Sequence, residues 1–134
     1  MATIRNDYEL SGSARIAFWM LAGVGLIVMP IAWAWYGLTL YEEESEQGKA
    51  LVAGTTMEGF AATFGLVPLV IAHAIGLGLL LYNGWRGWGG RGLAFGAAAL
   101  VIASLAGLIF AQLLFGGDLF EMGIRRYDEG LLES

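Results

Sequence analysis

Residues 59–85 read GFAATFGLVPLVIAHAIGLGLLLYNGW, an uninterrupted run without Asp, Glu, Lys or Arg and with a single histidine, His73, near its middle. A helix crosses the hydrocarbon core of a bilayer with roughly 20 residues, so this run is long enough to span one. Two further uncharged runs flank it, Ile16 to Tyr41 and Gly92 to Gly117. The chain of 134 residues is 57% hydrophobic and only 14% charged, far from the balance of a soluble domain. The fold class expected is therefore an all-α integral membrane protein. Its three transmembrane helices fall at about 15–41, 59–85 and 92–117, and an acidic tail follows over 118–134, enough for a short amphipathic helix. Residues 1–134 form one three-helix membrane domain.

The first run is read as a retained helix. It exceeds the length of a signal-peptide core, holds Pro30 at its centre and ends in Trp33, Trp35 and Tyr36 where a cleavage site would need small residues. Absence of cysteine excludes disulfides, thiolate metal sites and cysteine nucleophiles. Arg86 and Arg91 in the short second loop, with Arg5 and Arg15 before the first helix, place that loop and the N-terminus inside by the positive-inside rule. The C-terminus then lies outside, although Arg125 and Arg126 oppose that orientation.

Aromatic residues mark the same boundaries. Trp33, Trp35, Tyr36 and Tyr41 cluster at one end of helix one, and Tyr82, Trp85 and Trp88 at the end of helix two, where rings anchor at headgroups. Trp33 and Trp35 lie deepest and are the first candidates for contact with a pigment or quinone tail. Gly92, Gly96, Ala99, Ala103, Gly107 and Ala111 form a stripe of small residues on helix three, and Ala61 with Gly65 and Ala72 with Gly76 repeat that spacing on helix two. Such stripes admit close helix approach, so helices two and three should pack as an antiparallel hairpin, with surplus small surface left for another subunit. Pro30 and Pro68 should kink their helices.

His73 is the one ionisable side chain at the expected bilayer depth, and such residues mark functional sites. Three readings stand open. Its imidazole could bond Ser104, Gln112 or a backbone carbonyl and tie helices together. It could be the axial ligand of a haem or chlorophyll, with Gly65 and Gly76 making room for a flat macrocycle. It could also line a quinone or lipid site. A bis-histidine haem would need a second chain, because this one has a single histidine.

The layout resembles the small membrane-anchor subunits of succinate dehydrogenase, which also have three helices, an N-terminus inside and a haem-ligating histidine on helix two followed by a tyrosine near the quinone. His73 and Tyr82 hold comparable places. The spacing departs from that family, with Gly76 three residues after the histidine and Tyr82-Asn83 in place of a later Asp-Tyr pair. The resemblance therefore implies an architecture, and any haem-binding role for His73 or quinone role for Tyr82 is an implication of it alone.

Glu42 to Glu46 and the tail carry acidic clusters, read as solvated surface or as a dock for a basic extrinsic protein on the outer face. No phosphate-binding loop, metal cluster or nucleophile-base pair is legible. A net charge of −5 speaks against nucleic acid. The function expected is a small non-catalytic accessory or anchor subunit, embedded in the lipid bilayer beside other membrane subunits of a respiratory or photosynthetic electron-transfer complex. The alternatives are an anchor that itself ligates haem or chlorophyll through His73, or a small homo-oligomeric channel or transporter lined by Thr63, His73, Ser104 and Gln112.

Overall fold

The computed structural model describes residues 2–121, and they form a bundle of three helices long and apolar enough to cross a membrane. Helix α1 runs Ala2–Val52, α2 runs Val67–Trp88 and α3 runs Gly90–Leu114. A five-residue π-helical turn, Ala62–Leu66, leads directly into α2. Every pair of the three helices packs together.

The spans expected at 59–85 and 92–117 fall on α2 with its π-turn and on α3, shifted by two or three residues. Helix α1 differs more. Its 51 residues extend through Glu42–Glu46, the acidic cluster that follows the first apolar run in the sequence. At about 1.5 Å per residue this helix is more than twice as long as the roughly 30 Å hydrocarbon core is thick. The acidic stretch is thus a helical extension of α1. It holds the link to α2 through side chains: Gln47 Oε1 accepts the Met57 N–H at 2.6 Å, and Glu43 Oε1 accepts that of Phe60 at 3.1 Å. Glu43 is 1% exposed, so one member of the cluster turns inward instead of facing solvent.

The hairpin of α2 and α3 is tighter than a Gly-rich loop. Gly89 alone separates the helices, at φ +69°, a conformation that residues with a Cβ rarely adopt. Just beyond the turn, Gly84 and Gly92 press backbone against backbone, and a Cβ on either would enter the other's carbonyl. Further along the same face, Gly107 meets α1 at Met29 and Pro30, where an added Cβ would lie 2.6–2.7 Å from main-chain atoms. Gly92, Gly96, Ala103, Gly107 and Ala111 are all buried, so most of the small-residue stripe is spent on contacts within the bundle, while Ala99 is half-buried. Close approach of this kind lets membrane helices gain dispersion energy that lipid cannot supply.

After α3 the chain reverses through Gly116 and Gly117, and Gln112 Oε1 accepts the Leu119 N–H at 3.2 Å. Leu119 is fully buried and joins Leu40, Ala61 and Ala111 in a small core flanked by Trp33, Tyr36 and Phe115. The first residues of the tail therefore dock on the bundle. The remainder of the expected amphipathic tail helix, with Met122, Ile124, Leu131 and Leu132, lies outside the described residues.

Candidate functional site

One polar tie joins all three helices in their middle. His73 on α2 places Nδ1 2.8 Å from the Leu69 carbonyl oxygen and Nε2 2.7 Å from Ser104 Oγ on α3. Trp33 on α1 donates its indole N–H to the same Ser104 oxygen at 3.1 Å. The direction of each bond follows from what each group can offer. A carbonyl only accepts, so Nδ1 carries the imidazole proton and Nε2 presents its lone pair to the serine hydroxyl. The chain of donation runs Trp33 to Ser104, Ser104 to His73, and His73 to its own helix. The Trp33 ring also meets the imidazole edge-on, with centroids 6.1 Å apart and planes at 88°.

This geometry bears directly on a macrocycle at His73. An axial bond needs an imidazole lone pair. Nδ1 is protonated and Nε2 is already engaged, so a metal could bind only by expelling Ser104. Of the two glycine gaps, Gly65 is filled by Thr39 and Tyr36, whereas Gly76 faces Leu100 and Met29 and borders an apolar cavity of about 290 Å³. With Nε2 held by Ser104, the imidazole presents no free ligand to a haem or chlorophyll in this arrangement.

Trp35, the other deep indole, has a separate duty. Pro68 lacks an N–H, which leaves the carbonyl of Phe64, four residues earlier, without its α-helical donor. Trp35 Nε1 donates to that carbonyl at 2.7 Å from the neighbouring helix. Proline is tolerated in membrane helices when a neighbour re-satisfies the freed backbone in this way. Trp35→Phe, which keeps the ring and removes the donor, should lower the midpoint of detergent unfolding by an amount equivalent to about 1 kcal/mol. Trp33→Phe should act similarly through Ser104. If Trp35→Phe unfolds with the parent, the indole is only an anchor.

Tyr82 stands apart from His73. It is 56% exposed, and its hydroxyl accepts from Arg86 at 2.8 Å one turn along the same helix. Nine residues of helix place it about 13 Å along the axis from the imidazole. The structure thus unites His73, Trp33 and Ser104, sets Trp35 one layer away at the π-turn, and leaves Tyr82 on the surface. Thr63 is exposed, and Gln112 is committed to Leu119, so these residues do not line a continuous polar path with His73 and Ser104. Among the described residues there is no cluster of three or more metal-ligating side chains.

A contact that sequence reasoning passed over lies at the Arg15 end of the bundle. Arg15 Nε donates to the Gly87 carbonyl at 2.8 Å and Ser11 Oγ to the same oxygen at 3.2 Å, so both satisfy a terminal carbonyl of α2. The guanidinium lies 5.4 Å from the Trp88 ring centroid. Trp88 in turn packs edge-on against Phe18 and Phe95. An arginine preceding the first span, level with the end of the second, was the available signal.

No protein-family model, curated protein or solved structure matches the chain.

Proposed function

We propose that the chain is an integral membrane protein, N-terminus inside, and a small non-catalytic accessory subunit that anchors within a larger membrane complex. The observation that carries this reading is the fate of His73. The one side chain at bilayer depth suited to proton or metal chemistry is consumed in joining α1, α2 and α3. What remains for interaction is apolar surface, including Trp19, Ile27, Ile31 and Leu113, each more than 60% exposed. Lipid or the helices of other subunits would cover it. Respiratory and photosynthetic electron-transfer complexes are the class in which we place it, and any haem or chlorophyll there would be held by neighbouring subunits. The helical extension with exposed Glu42 supplies an acidic surface for a basic extrinsic partner on the outer face.

The test is purification from the native membrane in mild detergent, with subunit quantification and an absorption spectrum. Other subunits should accompany the chain in fixed ratio, and a His73→Leu variant should leave any pigment absorption of the complex in place. Recovery of the chain alone, with ion or solute flux after reconstitution, would instead establish a homo-oligomeric channel. Loss of a haem or chlorophyll band on His73 substitution would establish ligation.

A further inference from the structure

Near the Arg15 end, α1 and α3 part to form an apolar groove of about 490 Å³ lined by Phe18, Trp19, Leu26, Trp88, Ala98 and Ile102 among others. That volume is in the usual range of about 300–1,000 Å³ for small-molecule sites. From Phe18 to Leu26 the groove follows eight residues of helix, about 12 Å, close to the hydrocarbon depth of one leaflet. Its walls offer almost nothing polar. At its mouth the chemistry changes abruptly. Arg15 sits over Trp88, itself a wall residue, and donates Nε to the Gly87 carbonyl. Among the described residues, neither terminal nitrogen of its guanidinium has a hydrogen-bond partner and no carboxylate pairs with it. Arg86 and Arg91 add positive charge at the same end of the bundle.

We infer that this groove binds an anionic glycerophospholipid, with one acyl chain lying between α1 and α3 and the phosphate held by the Arg15 guanidinium. An apolar slot of leaflet depth selects a chain, and a planar cation fixed at its rim selects a phosphate, which arginine can grip with two parallel hydrogen bonds. Stacking on Trp88 and the bond to Gly87 hold the guanidinium in place, so little side-chain entropy is lost on binding. A zwitterionic lipid offers the same chain without the net charge. The inference rests on the membrane-inserted reading but not on the accessory role.

The experiment uses the full chain in phosphatidylcholine vesicles doped with brominated phosphatidylglycerol or, separately, brominated phosphatidylcholine, and reads quenching of tryptophan fluorescence. Flotation with undoped vesicles checks insertion on its own. Quenching by the phosphatidylglycerol should reflect about fivefold stronger association, the size expected of one cationic side chain at an anionic surface. Arg15→Gln should abolish that preference while Arg91→Gln keeps most of it. Ala98→Phe, an exposed position on the groove wall, should block the chain and reduce quenching by both lipids without touching the cation. If Arg15→Gln fails to fold, Ala98→Phe carries the test alone. Equal quenching by the two lipids, equal loss in Arg15→Gln and Arg91→Gln, or undiminished quenching in Ala98→Phe would overturn the assignment. So would cross-linking that shows a second copy of the chain seated in the groove.

Discussion

Gly92→Leu should be the most damaging single substitution in the bundle, lowering stability by about 3 kcal/mol in a reversible detergent-unfolding titration followed by circular dichroism. The reason is geometric. A Cβ at position 92 would enter the carbonyl of Gly84, and main chain on both sides leaves no flexible side chain to yield. The helices cannot splay to make room, because Gly89 alone connects them. Gly84→Leu should be equally severe, since the two glycines face each other. Gly78→Leu supplies the control. It lies on α2 with nothing near the position of an added Cβ, and should shift stability by less than about 0.5 kcal/mol. A parental midpoint for Gly92→Leu would mean that α2 and α3 do not pack along this face.

That face was legible because close helix approach demands small residues at fixed spacing, and the stripe from Gly92 to Ala111 states it plainly. What the stripe met was not legible. Surplus small surface was expected to face another subunit, and within the bundle Gly107 is taken by α1 at Pro30 and Gly96 by Leu80 on α2. The three long apolar helices could be read from hydropathy alone, whereas the continuation of α1 past Tyr41 could not. Acidic residues end an apolar run but do not end a helix, and Glu43 and Gln47 were needed to hold the following link. The indoles were harder still. Trp33 and Trp35 look identical to interfacial anchors, and only three-dimensional placement assigns one to Ser104 and the other to the carbonyl that Pro68 orphans. For His73 the sequence named Ser104 among its potential partners, but it could not show that Trp33 would meet the same hydroxyl.

Ser104→Val should therefore cost more than His73→Leu, an order that would surprise anyone who takes the histidine as the centre of the site. Valine removes the hydroxyl and strands two groups at once, the Trp33 N–H and the Nε2 lone pair. An unsatisfied buried donor or acceptor costs about 1–3 kcal/mol, and membrane interhelical hydrogen bonds average about 0.6 kcal/mol, so a loss of about 2 kcal/mol is expected. His73→Leu strands less. Ser104 can still accept from Trp33 and turn its proton to the carbonyl of Leu100, four residues back on its own helix. A loss of about 1 kcal/mol follows, because among the described residues the imidazole's one interhelical bond is that to Ser104. The double variant should be no less stable than Ser104→Val alone, since leucine removes the polar group that valine had stranded. The cycle, read by the same unfolding titration, should return a coupling of about 1 kcal/mol between positions 73 and 104. Additive losses would mean that the imidazole and the hydroxyl do not meet. Coupling of this size would instead show that the polar ring of His73 holds the bundle together, in the place where a ligand or a relay would otherwise stand.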